Sequence, residues 1–206
     1  PVSATPAVVW QGSFDLVDNS ANPAAGAAAV VPDGAGGAYY LCGPWVLRID
    51  GQGKNLWPGQ SQPSRVRVNS DRQENIGALR LFPDGRGGVL AVWRSSRGVR
   101  AQRIAPAGTL SWGADGINLD GKKDEAERTY GRAVPDGKGG LVAFLMSNTF
   151  TEDRKPRVAF FDGAGRLVRQ SAPLELGITL ENDSAYEIES DGQGGLYILY
   201  SRYTRT

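Results

Sequence analysis

The sequence predicts an all-β fold: a closed four-bladed β-propeller of four-stranded antiparallel blades, with the last blade closed by the N-terminal strand. Three observations carry that expectation. A motif reading Pro-Asp-Gly-x-Gly-Gly, with Ser for Pro in its last copy, returns four times, at residues 32–37, 83–88, 135–140 and 190–195. Its aspartates (Asp33, Asp84, Asp136 and Asp191) are 51, 52 and 55 residues apart, and a period near 50 with short strands and turn glycines is the signature of propeller blades. The fourth repeat is also one strand short, while the start of the chain offers a spare one.

The second repeat shows the plan most fully. Residues 78–82 make a first strand, A, and residues 83–87 turn the chain. Proline presets φ, aspartate accepts a local backbone N–H, and the glycines supply positive φ. Strand B, 88–93, is rich in β-branched and aromatic residues. Residues 95–98 turn into strand C, 99–104, and Ala105-Pro106-Ala107-Gly108 leads to strand D, 109–112, which ends on Trp112. The first repeat gives B at 38–41, C at 45–49, a turn at 50–53 and D at 55–57. The third gives B at 141–145, C at 157–161, a turn at 162–165 and D at 166–168, with Arg169 where Trp57 and Trp112 stand in the others.

The fourth repeat has A at 185–189, B at 196–200 and enough residues for C at 201–206. Its missing D is matched by residues 7–10, Ala-Val-Val-Trp. Joining the chain's end to its start would put Asp191 and Asp33 48 residues apart, close to the other periods. The expectation is therefore a single domain over 1–206, with blades at 27–57, 78–112, 131–169 and 185–206 plus 7–11. The rival is four blades of a larger propeller. The B strands are nearly continuous in apolar residues, which predicts that both faces of a blade are buried against its neighbours.

Composition bounds the function. Lys and Arg number 23 against 22 Asp and Glu, a net charge of +1, so no global field attracts nucleic acid or an anionic membrane. Histidine is absent, which removes Ser-His and Cys-His catalysis and imidazole ligation of zinc or haem. The single cysteine, Cys42, lies in an apolar run and reads as a buried thiol. No stretch approaches the ~18 apolar residues of a membrane span, and a chain beginning at Pro1 reads as one that has lost a signal peptide or been trimmed. Residues 58–75 are nearly devoid of large apolar side chains, so this connection is expected to be mobile until a partner binds.

The repeats resemble those of secreted bacterial β-propeller proteins with PDG-x-GG blades. In that pattern a B strand ending in tryptophan and an Ala-Gln-Arg strand precede a Gly and a second tryptophan. Repeat two fits best, with Trp93, Ala101-Gln102-Arg103, Gly108 and Trp112; repeat one lacks the Gln-Arg pair and repeat three lacks both tryptophans. The resemblance covers nearly the whole chain and implies a fold and an exported, periplasmic or extracellular, location. It says almost nothing of function, because propellers host enzymes, lectins and scaffolds alike. A closed four-blade ring also resembles the hemopexin-like domain, in architecture only.

The candidate sites are few. One carboxylate per Asp-Gly turn is too little for a Ca²⁺ site of six to eight oxygens, and turn chemistry explains those aspartates. Asp120, Asp124, Glu125 and Glu127 share a loop with Lys122, Lys123 and Arg128, a mixed-sign pattern that reads as solvation more readily than as a glycosidase pair. Glu187 is expected to pair with Arg80 or Arg132 near the axis, as a structural ion pair. Trp45, in a hairpin after Gly43-Pro44, reads as packing or as an exposed anchor for a protein or a sugar. With it go Arg65, Arg67 and Arg72 of the polar connection, and Arg202, Tyr203 and Arg205 of the Tyr/Arg-rich end strand, as candidate docking residues.

The resulting expectation is a non-catalytic interaction or scaffold module without a cofactor, an accessory subunit of a larger complex, membrane-associated or free. Its partners would be other protein subunits and not nucleic acid. A lectin-like carbohydrate binder is the alternative, and a hydrolase the weakest reading.

Overall fold

The computed structural model describes residues 28–57, 65–121, 129–147, 156–172, 174, 186–193 and 195–200. They form antiparallel sheets. The first sheet contains β1 (Ala28–Pro32), β2 (Ala38–Cys42), β3 (Trp45–Ile49) and β4 (Val66–Arg67), in that order. The second contains β5 (Gly77–Pro83), β6 (Val89–Ser95), β7 (Gly98–Ile104) and β8 (Ile117–Asn118). The third contains β9 (Thr129–Pro135), β10 (Leu141–Ser147), β11 (Arg157–Phe161) and β12 (Leu167–Gln170). The fourth is the hairpin of β13 (Tyr186–Ser190) and β14 (Leu196–Tyr200).

This corrects the expected closed four-bladed propeller. The fold is all-β, but no sheet is closed or curled on itself, and the fourth has two strands where a blade needs four. Residues 7–11 and 201–206, on which closure depended, lie outside the described residues. The expected D strands of the first two repeats are corrected as well. Residues 55–57 and 109–112 form no strand, and their backbone pairs with the sheet through the isolated bridges Ile49↔Asn55 and Ile104↔Leu110. The fourth ladder strand comes later, at β4 and β8. Side chains take amides that a ladder would use: Asn55 Oδ1 accepts Trp57 N–H at 2.8 Å, and Gln102 Oε1, from β7, accepts Trp112 N–H at 2.9 Å. Both indoles reach the next sheet, donating to the Pro106 and Gly163 carbonyls. In the third sheet β12 falls at the expected place.

The repeated motif is a capped turn. Asp33 Oδ1 accepts the N–H groups of Ala35 and Gly37, both at 2.8 Å. Asp84, Asp136 and Asp191 do the same for their own turns. The last glycine is required by crowding: a Cβ on Gly140 would stand 2.1 Å from the Phe161 carbonyl oxygen, and one on Gly88 2.6 Å from that of Ile104. The second glycine is required by conformation, as at Gly36 and Gly87 with φ of 88° and 80°.

Successive sheets share cores. On β6, Val89, Ala91 and Trp93 turn to the first sheet and pack with Tyr39, Leu41 and Val46. The alternating Leu90 and Val92 turn to the third sheet and pack with Leu141, Ala143 and Leu145 of β10. Phe144 and Met146, the other face of β10, meet Ile188 of the fourth sheet. Both faces of these two strands are therefore buried, which is why β6 is apolar from Val89 to Trp93 and β10 from Leu141 to Met146. Each fully buried Leu- or Val-sized side chain contributes roughly 1.5–3 kcal/mol.

Tyr39 ties the first sheet to the second. It is fully buried, and its hydroxyl donates to the Gly87 carbonyl at 2.6 Å. Burial pushes its phenol up to about 12. The folded state thus resists ionisation that the unfolded chain accepts near pH 10. Stability held below pH 10 is lost as pH rises towards 12. Alkaline unfolding of the wild type should begin earlier in pH, relative to its own neutral stability, than that of Tyr39→Phe. Chemical denaturation at pH 8 and pH 11 measures this, and equal pH-dependent losses in the two proteins would refute it.

Candidate functional site

The inner strands β1, β5, β9 and β13 lie side by side in sequence order. Four residues before each motif aspartate stand Ala29, Arg80, Arg132 and Glu187. The structure brings the three charged ones together. Glu187 Oε2 accepts from Arg132 at 3.0 Å and from Arg80 at 3.2 Å, and its Oε1 lies 3.4 Å from Arg80. All three side chains are substantially exposed, so this clamp is an ordinary surface ion pair, worth well under a kcal/mol per contact by the usual measure. It orders the edge of a surface.

That surface is the outward face of the fourth sheet. Ile188 and Ile198 are cross-strand partners facing the third sheet. Alternation therefore turns Glu187, Glu189, Tyr197 and Leu199 outward. Glu187 lies opposite Leu199, and Glu189 opposite Tyr197. Tyr197 is 68% exposed and Leu199 74% exposed. An aromatic and an aliphatic side chain thus stand exposed on the hairpin, bordered by two carboxylates and two guanidiniums.

The other candidates divide. Trp45 is half-buried, and the Arg65 guanidinium covers one face of its ring at 4.5 Å. Arg67, opposite Trp45 on β4, turns into its own connection, donating to the Asn69 carbonyl and side chain and to the Asp71 carbonyl. Burial lowers its pKa, with the nearby Arg72 charge acting in the same direction. It is a structural residue. Arg72 is exposed. Arg202, Tyr203 and Arg205 lie outside the described residues, as do Asp124, Glu125 and Glu127. Asp120 stands against Gly98 at the end of β8's connection.

The described part of the polar connection is tightly held where mobility was expected. Val68, Asn69 and Glu74 are buried, and Asp71 pairs with Arg97 at 2.9 Å. Ser70 N–H donates to the Ala114 carbonyl at 2.9 Å, and its hydroxyl to Asp115 at 2.5 Å. The Ser70 hydrogen bonds outweigh burial and lower the Asp115 pKa. At Asp33, burial alone would raise the pKa, but the Ala35 and Gly37 amides and Arg48 together lower it. The turn carboxylates are occupied by their own turns.

What sequence reasoning missed is Leu199, and the way Tyr197 joins it. The signal lies in the alternation of residues 196–200, a segment whose apolar content reads as a strand buried on both faces. No helix among the described residues is long and apolar enough to cross a membrane.

Comparison with known proteins adds little. No protein-family pattern matches the chain, and no curated protein does. Among solved structures, a protein of unknown function from Bacteroides caccae is similar at 13% identity and a TM-score of 0.33, over 76% of this chain and 68% of that one. A likeness at that level supports no statement about fold or activity.

Proposed function

We propose that this chain is a non-catalytic protein-interaction module, an exported accessory subunit that docks onto another protein through the outward face of its fourth sheet. The observation that supports this reading is the pair Tyr197 and Leu199, 68% and 74% exposed, on a sheet whose opposite face is packed. Aromatic and aliphatic anchors flanked by charges are what protein interfaces use. A net charge of +1 favours neither nucleic acid nor an anionic surface. Export follows from the resemblance of the repeats to those of secreted bacterial proteins.

The test is the mass of the native species carrying the chain, by gentle extraction and native mass spectrometry. The wild type should appear in a complex with other proteins. The double variant Tyr197→Asp with Leu199→Asp should appear as the free chain, with its melting temperature unchanged because both positions are exposed. A free wild-type chain, or a complex indifferent to both substitutions, would sink the reading. An exposed tyrosine beside Glu189 is also what a sugar-stacking site offers. Heat on titration with a glycan panel that disappears in Tyr197→Ala would turn the assignment to carbohydrate.

A further inference from the structure

Three buried side-chain atoms have no hydrogen-bond partner among the described residues: Glu74 Oε1, Arg100 Nε and Trp93 Nε1. Two of them face each other, and the third belongs to a residue on the same face of the second sheet. Glu74 Oε1 lies 3.8 Å from Arg100 Nε, and the two side chains are 1% and 12% exposed. Trp93 is fully buried and is the residue directly opposite Arg100 across β6 and β7. Side chains so paired share a face, with Cβ atoms about 4.5–5.5 Å apart. Two neighbouring polar atoms are engaged. Asn69 Nδ2 donates to Glu74 Oε2, and the Arg100 terminal nitrogen donates to the Asp115 carbonyl at 2.9 Å.

We propose that Glu74, Arg100 and Trp93 form a binding site for one buried water molecule. The donor and acceptor count selects that ligand. Two N–H groups need an acceptor and one carboxylate oxygen needs a donor, which matches three of a water's four hydrogen bonds, the usual number for a buried water. A cation would face two N–H donors. An anion would face Glu74. A larger neutral molecule would need exposure that these side chains lack. A direct Glu74–Arg100 bond does not replace the water, because it leaves the Trp93 indole N–H buried and unpaired.

The site has a structural consequence. Glu74 belongs to the connection between the first two sheets, while Trp93 and Arg100 belong to the second sheet. The water therefore joins that connection to the sheet beneath it, alongside the Asp71–Arg97 ion pair. This inference is independent of the docking proposal.

The test uses the whole chain, labelled with ¹⁵N in its tryptophan side chains. A water held for longer than the protein's tumbling time gives a cross-peak to the Trp93 indole proton with the sign of an intramolecular Overhauser effect; passing solvent does not. Trp93→Phe assigns the signal by removing it. We expect the cross-peak in the wild type, its retention in Glu74→Gln, which keeps an acceptor oxygen, and its loss in Glu74→Leu. If Glu74→Leu does not fold, the wild-type spectrum and a crystal structure still decide. A solvent peak within hydrogen-bond distance of all three atoms supports the site. Absence of the cross-peak, or density showing the Trp93 indole bonded to a protein acceptor, overturns it.

Discussion

Replacing Asp84 by alanine should destabilise the fold by about 3–5 kcal/mol, the usual cost of removing one partner of a buried ion pair. For a domain of this size that is a fall in melting temperature of roughly 6–20 °C, at about 2–4 °C per kcal/mol. The Asp84 side chain is wholly buried. One oxygen holds the turn, accepting Arg86 and Gly88 N–H at 2.7 and 2.8 Å. The other accepts Arg103 Nε at 2.8 Å and its terminal nitrogen at 2.7 Å. Truncation leaves a largely buried guanidinium without its counter-charge and two turn amides without their acceptor. The third repeat supplies the control. Asp136 caps its turn in the same way, but at the position of Arg103 that repeat has Phe160, whose ring carries the Arg169 guanidinium at 3.9 Å. Asp136→Ala should therefore cost only the cap, about 1 kcal/mol. Calorimetry on both variants decides, and equal losses would show that the arginine adds nothing.

That contrast also bears on how much of the fold is legible in the residues themselves. The Pro-Asp-Gly-x-Gly-Gly turn is legible because each position answers a local demand: an acceptor, a positive φ, or room beneath a neighbouring carbonyl. The central strands β6 and β10 are legible because continuous apolar runs mark strands buried on both faces. Residues 55–57 and 109–112 mislead because a leucine and a tryptophan in a short segment, with Thr109 in the second, suit a strand. Here that ring serves the next sheet instead. The strands that do complete the first two sheets, β4 and β8, are two residues long, too short for any periodicity to register. The polar connection misleads for a related reason. Asn69 and Glu74 are buried by hydrogen bonds and ion pairs, and composition cannot distinguish a satisfied polar side chain from a solvated one. The candidate docking face depends on which sheet faces are covered, which is decided between repeats and not within one.

The tryptophans that end those segments latch one sheet to the next, and Trp112 is the second residue whose loss should be severe. It is 5% exposed. Its indole N–H donates to the Gly163 carbonyl at 3.2 Å, in the turn between β11 and β12. Its ring lies over Gly165, where an added Cβ would stand 2.9 Å from it. Trp57 repeats the arrangement one sheet earlier, donating to the Pro106 carbonyl at 2.8 Å and covering Gly108. Trp112→Ala should cost about 3–5 kcal/mol, the range for deleting a buried aromatic side chain. Trp112→Phe keeps much of the packing, loses the hydrogen bond and should cost less, about 1–2 kcal/mol. The pattern of loss is as informative as its size. A latch predicts that amide exchange in Trp112→Ala quickens most in the third sheet's outer strands, β11 and β12, while the β1–β2 hairpin keeps its protection relative to the global stability. Because Arg169 replaces the tryptophan in the third repeat, no equivalent indole ties β12 onward. Uniform acceleration across all sheets would mean that Trp112 contributes only to a common core, and that the sheets do not join through discrete contacts of this kind.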